Sequence, residues 1–158
     1  MIRGSDMSKE TASCKIVADK GNVITRFVCA GLGYDTDWLD EHFTIGFMQG
    51  DRLIGGLIYH NIRPQHDVWW TLYTTDKRWC NKRILKFIFG LAFDYFACRR
   101  ISMSADADNV ACLRLALKLG FKAEGLLRQY RDNGKDCIIM GILKNEYKQK
   151  GINRCQKV

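Results

Sequence analysis

The chain has 158 residues, 47% hydrophobic and 27% charged, which indicates one ordinary globular domain rather than a fibrous protein. No apolar run approaches the ~18 residues needed to span a bilayer, and a single proline without low-complexity tracts argues against a long disordered segment. The formal net charge of +8 fits either a solvated basic face and tail or a surface for a nucleic acid or another polyanion.

The seven cysteines are odd in number and show no C-x-x-C spacing, so we expect free thiols in a reducing cytoplasm. The histidines at 42, 60 and 66 form no H-x-x-x-H pair, and no metal site is predicted. We expect residues 1–13 to be a flexible leader, residues 14–143 a single domain, and residues 144–158 a basic tail that starts as a short helix.

The first half of the chain predicts an antiparallel arrangement. Apolar residues alternate in residues 43–47, and Q-G-D at 49–51 is a turn signal that connects them to a second strand at 52–60. Gly55 and Gly56 weaken that strand, which calls for a bulge or for close approach by a ligand or side chain. A strand at 14–18 and a helix at 22–30, ended by Gly31 and Gly33, precede this hairpin.

The centre of the chain predicts a βαβ unit. Residues 68–75 are rich in Trp, Thr, Tyr and Val, residues 82–98 carry a wide apolar helical arc, and residues 100–105 alternate again. The two strands should therefore be parallel. The basic segment 77–83 between strand and helix is a physical recipe for holding an anion, because a helix start offers unpaired N–H groups.

A second helix should follow, with Asp106 and Asp108 as N-cap candidates and Gly120 as its stop. Strands at 121–130 and 136–143 should then form a hairpin, with Asn-Gly at 133–134 as a type I′ turn. The order β-α-β-β-β-α-β-α-β-β predicts an α/β fold: one mixed sheet with helices on both faces.

The segment from Asn109 to Gly141 carries a resemblance. Its N-V-A-C-L-R-L-A-L-K-L-G-F-K-A-E-G run, the N-G turn and C-I-I-M-G-I-L resemble the C-terminal half of the GNAT N-acyltransferase superfamily, and more narrowly its RimJ/RimL type. The strand order extends this resemblance over residues 14–143. It implies a GNAT-like fold and an enzyme that transfers acetyl from acetyl-CoA to a primary amine: a protein N-terminus, a lysine or a small amine.

The resemblance also implies a site. The strands at 68–75 and 100–105 should splay into a V-shaped gap for the pantetheine arm, a form of strand addition, with the pyrophosphate on the 77–83 loop. Asn109 would bond the pantetheine arm, or serve as an N-cap, or both. The implied cofactor-binding residues are Leu72, Tyr73, Thr74, Lys77, Arg78, Trp79, Cys80, Asn81, Lys82, Arg83, Asn109 and Cys112.

The chain departs from the family pattern at the phosphate loop. The family loop reads R/Q-x-x-G-x-G/A, whereas this chain has Arg78, then Asn81 and Arg83 at the two small positions. Glycine lets the backbone approach phosphate closely. Asn81 is a mild loss because Asn tolerates positive φ, and Arg83 either clashes or adds a charge-assisted contact.

Acetyl transfer needs a neutral amine, an oxyanion donor and a proton for the leaving thiolate. A strand N–H at residues 72–74 could be the oxyanion donor. The tyrosine common in the family is replaced by Ala116, and Cys112 stands where RimL-like members have serine; it is either the acid or a buried small residue. Glu124 is a candidate to orient the amine or relay its proton, or a solvated strand residue. Tyr73 is a further catalytic candidate unless it merely packs. Glu41, His60 and His66 are candidates for the acceptor side, unless the two histidines are ordinary loop-edge residues.

Two alternatives to the enzyme remain open. The missing tyrosine and filled glycine positions also fit a GNAT-fold module that binds acyl-CoA or a partner without turnover. The +8 charge also fits a basic nucleic-acid-binding protein, although no binding motif supports it. Partner expectations are an amine acceptor (protein or small molecule), with an acidic or nucleic-acid-associated partner and a homodimer as open options, and no membrane. Acceptor-side residues are expected at 30–45, 60–67 and 126–136.

Overall fold

The computed structural model describes residues 13–150, except for the side chains of 148–150. Seven strands form one mixed sheet in the order β1-β2-β3-β4-β5-β7-β6. The predicted fold class and element order are confirmed; the leader before residue 13 and the tail after residue 150 lie outside the described residues. The elements are β1 Lys15–Ala18, α1 Val23–Leu32, β2 His42–Gln49, β3 Arg52–Arg63, β4 Asp67–Thr74, α2 Lys82–Gly90, β5 Arg100–Asp106, α3 Val110–Leu119, β6 Lys122–Leu127, β7 Cys137–Leu143 and α4 Lys144–Lys150.

Helices cover both faces of the sheet. On one face α1 buries Ile24, Val28 and Cys29 against Ile58 of β3. On the other face lies the larger core, where α2, α3 and α4 pack on the sheet. None of these helices is long and apolar enough to cross a membrane, a finding that covers residues 13–150. Among the described helices, α1 alone contributes to the core on its face.

The two glycines of β3 have structural reasons. Pairing with β2 skips Ile54, which makes a bulge directly beside Gly55. A Cβ on Gly56 would lie 2.7 Å from side-chain carbons of both Ile24 and Val28. The expectations of a bulge and of close approach by side chains are therefore both confirmed, and Gly56 lets α1 lie directly on the sheet.

The predicted βαβ unit is confirmed, because β4 and β5 pair in parallel. The helix between them is shorter than expected: α2 ends at Gly90, and residues Leu91–Tyr95 form a π turn. Ala97 then takes a positive φ of 53°, which turns the chain so that Cys98 becomes fully buried. One continuous helix over 82–98 was therefore wrong at its C-terminal end.

Two predictions of local structure are corrected. The N-cap of α3 is Asn109, whose Oδ1 accepts the Cys112 N–H at 3.1 Å, because Asp106 is still part of β5. In the β6–β7 connection only Gly134 of the Asn-Gly pair has a positive φ, 78°, and its N–H donates to the Arg131 carbonyl. A type I′ turn needs positive φ at both positions, so that turn is absent.

Candidate active site

The parallel strands β4 and β5 pair only along their first halves. The pairing runs from Asp67 with Arg100 to Trp70 with Met103, although β4 continues to Thr74 and β5 to Asp106. Beyond Trp70, β4 keeps its other partner, β3, through Thr74. The strands thus open at their C-terminal ends, as the V-shaped gap requires.

Buried polar side chains link the closed half of the strand pair. Ser102 donates to both carboxylate oxygens of Asp67, at 2.9 and 3.0 Å. Arg100 donates through Nε to Ser102 Oγ at 2.7 Å. Asp67 and Ser102 are both nearly excluded from solvent, so this network holds β4 and β5 together where their ladder is intact.

The backbone of β4 presents polar groups to the gap. Thr75 donates its N–H to Ile54 of β3 at 2.8 Å, and successive residues of a strand direct their N–H and C=O to opposite edges. Tyr73 therefore bonds toward β3, whereas Leu72 and Thr74 direct their backbone groups toward the gap. Those two N–H groups are placed to bond an extended ligand or an oxyanion.

The loop after β4 carries an acid as well as bases. Asp76 caps a 3₁₀ turn at Lys77–Trp79 by accepting the Arg78 N–H, and the Arg78 guanidinium donates to both Asp76 oxygens. Hydrogen bonds from the Arg78 side chain and amide lower the pKa of Asp76 to about 2. Arg78 is thus partly neutralised, and Asp76 places a negative charge beside the expected phosphate position.

Asn81 and Arg83, which stand where the resembling GNAT loop has small residues, each form a hydrogen bond within the fold. Asn81 caps α2 by accepting the Ile84 N–H at 3.1 Å. Its φ is −125°, so this position does not require the positive φ that glycine would allow. Arg83 donates to the Cys14 carbonyl just before β1. The N–H groups of Lys82 and Arg83, in the first turn of α2, have no acceptor within the helix.

Other members of the loop are oriented differently. Trp79 is 2% exposed and stacks on Phe47 at 5.3 Å between ring centroids. Its side chain belongs to the core, so only its backbone is available to a ligand. Cys80 is half-buried beside the same core, whereas Lys77 and Lys82 are exposed.

Asn109 and Cys112 lie together at the start of α3. Asn109 has the N-cap role that was one of its two predicted roles, and its Nδ2 has no partner among residues 13–150. Burial, followed by the nearby Asp106 carboxylate, raises the pKa of the Cys112 thiol. A protonated thiol is a weak donor rather than a nucleophile, and the role of Cys112 as an acid stays a prediction.

Glu124 forms an ion pair at the closed end of the strands. Arg100 at the start of β5 donates to Glu124 Oε1 at 2.9 Å and also bonds Oε2. These hydrogen bonds lower the pKa of Glu124. The carboxylate therefore lies beside the intact ladder, with its oxygens engaged, and it is a poor base in this arrangement.

Tyr73 packs beneath α1. A Cβ on Gly31 would lie 2.1 Å from the Tyr73 ring, and Phe27 contacts that ring edge-on at 5.5 Å. The packing role of Tyr73 is thus present. Its hydroxyl has no hydrogen-bond partner among the described residues.

The segments expected at the acceptor side meet on the α1 face. Arg131 lies over the Tyr34 ring at 5.9 Å and donates to Asp106 at 2.8 Å, so residues from 30–45 and 126–136 join at the end of β5. Trp38 contacts His60 edge-on at 4.9 Å. Beside them an open depression of about 570 Å³ is lined by Asp40, Glu41, Asn61, Ile62, Arg63 and Trp69.

The sequence patterns did not predict several residues that lie at this site. Asp76 could have been found, because Asp before a short helical turn is a cap signal. Asp67, Ser102 and Arg131 could not, because their contacts join residues 35 and 25 positions apart. Within residues 13–150 no three His, Cys, Asp or Glu side chains come together as a metal-ligand set.

The whole structure is similar to solved acetyltransferases. A chimera of the spermidine N-acetyltransferase SpeG from Vibrio cholerae and hSSAT has a TM-score of 0.69 and 15% identity, covering 86% of this chain and 99% of that one. A manganese complex of SpeG from Vibrio cholerae has a TM-score of 0.69 and 13% identity, covering 88% and 97%. The ribosomal-protein-S5-alanine acetyltransferase from Vibrio fischeri has a TM-score of 0.57 and 20% identity, and the match covers 67% of this chain and 63% of that one.

These similarities establish the fold. No protein-family model matches the sequence, and no curated protein matches it either. The chain therefore has the mixed-sheet fold of GNAT acetyltransferases, with the strand opening at the place where the sequence resemblance predicts it.

Proposed function

We propose that the chain is an N-acetyltransferase of RimJ/RimL-like type, which transfers acetyl from acetyl-CoA directly to a primary amine. The opening of β4 and β5 after Trp70 and Met103 carries this proposal, because it exposes the backbone groups of Leu72 and Thr74 to an extended thioester ligand. The α2 start, with the amides of Lys82 and Arg83, would hold the pyrophosphate.

In this proposal the site residues have separate tasks. An N–H of Leu72 or Thr74 stabilises the tetrahedral oxyanion. Asn109 Nδ2 bonds the pantetheine arm while its Oδ1 caps α3. The Cys112 thiol, or water, protonates the leaving CoA thiolate. Tyr73 shapes the α1 side of the gap, and Glu124 contributes by fixing Arg100 rather than by proton transfer.

The acceptor is proposed by class. The acetyltransferases that share the fold include those named for spermidine and for the alanine of a ribosomal protein. Both are amines, and the joined surfaces at Tyr34, Trp38 and Arg131 would hold one here. We place the enzyme in the cytoplasm, in keeping with six free cysteines among the described residues.

The test combines binding with turnover. Acetyl-CoA at about 100 times its dissociation constant should stabilise the fold by about 2.7 kcal/mol. Release of free CoA thiol should then appear with at least one acceptor from a panel of spermidine, N-terminal alanine peptides, lysine peptides and small amines, with the product identified by mass spectrometry. Absence of both stabilisation and thiol release contradicts the proposal.

A non-catalytic acyl-CoA-binding module is the second candidate. The Asp76 carboxylate beside the phosphate position and Ala116 in place of the usual tyrosine favour it. Stabilisation by acetyl-CoA with no thiol release across the whole panel would support this candidate over the enzyme.

A further inference from the structure

A histidine and a threonine hydrogen-bond to each other where the two strands part. His60 Nε2 lies 2.9 Å from Thr71 Oγ1, and Thr71 is the first residue of β4 beyond the last pair with β5. We propose that Thr71 and His60 form a proton relay that removes the proton from the acceptor amine. This inference rests on the proposed acetyltransfer.

The position of Thr71 suits this role. Its side chain lies on the same face of β4 as that of Tyr73, because side chains two residues apart share a face, and Tyr73 packs against α1. The backbone groups of the next residue, Leu72, face the gap in which the thioester would lie. The proposal thus places Thr71 Oγ1 between the acceptor side and the reacting carbonyl.

The surroundings of His60 keep its imidazole neutral. The ring is covered by Trp38 at 4.9 Å and Trp69 at 6.4 Å and is 8% exposed. Burial, together with His42 across the β2–β3 pair, lowers the pKa of His60 to about 4. The titratable group that affects the His60 pKa from β2 is His42. The residues that contact His60 from β4 and from the loop after α1 are uncharged: Thr71, Trp69 and Trp38.

The second ring nitrogen gives the proton an exit. His60 Nδ1 has no partner within residues 13–150, and it is not among their buried unpaired side-chain atoms, of which Trp70 Nε1 is the single example. With Nδ1 protonated and Nε2 accepting, the ring can take a proton on one side and release another on the opposite side. The ring therefore passes a proton on without having to accumulate as the imidazolium.

The proposed step forms one bond to carbon and breaks another. The amine nitrogen attacks the thioester carbonyl carbon, a C–N bond forms, and the C–S bond breaks. The amine proton passes to Thr71 Oγ1 as the Thr71 hydroxyl proton passes to His60 Nε2. His60 releases its Nδ1 proton to solvent and regains the Nδ1–H tautomer by proton exchange with water. The CoA thiolate takes one proton from water, or from Cys112, which water then reprotonates, and the products are an amide and a free thiol.

Paired variants separate the relay from packing. Thr71→Val should lower kcat by roughly 10²-fold, the lower end of general-base contributions, with the KM for acetyl-CoA unchanged. Thr71→Ser keeps the hydroxyl and should stay within roughly threefold of the wild type. His60→Gln keeps a hydrogen bond to Thr71 but cannot take a proton, so it should resemble Thr71→Val.

A spectroscopic readout tests the relay without turnover. Nitrogen-15 NMR of the wild-type histidine rings at pH 7 should show His60 neutral with the proton on Nδ1, and Thr71→Val should shift its Nε2 resonance. A cationic His60 or a proton on Nε2 overturns the relay. Full kcat in Thr71→Val overturns the relay alone, whereas a wild type that binds acetyl-CoA and transfers nothing overturns the proposed function and the relay together.

Discussion

Among the residues of the proposed phosphate loop, Asp76 is the one that we expect to weaken acetyl-CoA binding most. Its carboxylate holds Arg78 in a two-oxygen pair at 2.6 to 3.0 Å and adds a negative charge near the expected pyrophosphate. Asp76→Asn removes the charge but keeps an oxygen to cap the turn. We expect it to tighten acetyl-CoA binding by roughly two- to fivefold, the scale of an exposed ion pair, measured by isothermal titration calorimetry.

The control for this charge change is Asp94→Asn. Asp94 pairs with Lys144 at 3.1 Å at the opposite end of the α2 segment, so its loss changes net charge equally without touching the loop. Equal effects of the two variants would show that net charge, and not the Asp76–Arg78 pair, sets the affinity.

His60 makes stability depend on pH. Its pKa in the fold is about 4, against 6.5 for an unperturbed histidine, so the unfolded chain binds the proton more readily between these values. The free energy of unfolding should therefore fall as pH drops from 6.5 to 4, by at most about 3 kcal/mol. Urea unfolding at pH 7 and pH 4.5 measures the drop, which His60→Gln should reduce. An equal drop in both proteins would contradict the assignment to His60.

At the scale of elements, the contact of α1 with β4 depends on Gly31. A Cβ there would overlap the Tyr73 ring at 2.1 Å. Alanine favours a helix over glycine by about 1 kcal/mol, but the overlap should outweigh this gain and leave Gly31→Ala destabilised by about 1–3 kcal/mol. Thermal unfolding measures the change.

Gly90 provides the matched control for that substitution. It ends α2, and a Cβ added there would have nothing within 4 Å, so Gly90→Ala should stabilise the fold by about 0.5–1 kcal/mol. If Gly31→Ala also stabilised the protein, Tyr73 would have to be free to move away from α1.

Sequence patterns predicted the elements because each is governed by neighbouring residues. The alternation in β2 and the apolar arc of α2 are local, and so is the Gly33 stop of α1, which has the expected left-handed φ of 76°. The end of α2 was missed because it depends on Ala97 and on the burial of Cys98. The Asn-Gly signal for a type I′ turn takes no account of contacts with other elements, such as the pair that Arg131 of this connection forms with Asp106 of β5.

The site was predictable only in part for the same reason. The resemblance located the strand opening and the loop, and the register confirms the opening. The Asp67–Ser102 link, the Arg100–Glu124 pair and the His60–Thr71 contact each depend on which strands are neighbours, so sequence spacing could not define them.

At the scale of the whole molecule, charge is distributed unevenly. Lys77, Arg78 and Lys82 are exposed at the loop and α2 start, whereas the loop after α1 carries Asp35, Asp37, Asp40 and Glu41, all exposed. A basic surface attracts a phosphorylated ligand over a distance set by the Debye length, which falls from about 10 Å at 0.1 M salt to about 3 Å at 1 M. Under the proposed function, part of the +8 net charge would lie where it attracts the phosphates of CoA.

Salt should therefore weaken acetyl-CoA binding through these particular lysines. The dissociation constant should rise several-fold between 0.1 and 1 M sodium chloride in the wild type, measured by titration calorimetry. The double variant Lys77→Gln with Lys82→Gln should bind more weakly at low salt and show a flatter dependence, because two of the screened charges are gone. Lys118→Gln changes an exposed lysine of α3; it is the control and should keep the wild-type dependence of the dissociation constant on salt. Identical slopes in all three proteins would place the attraction elsewhere on the basic surface.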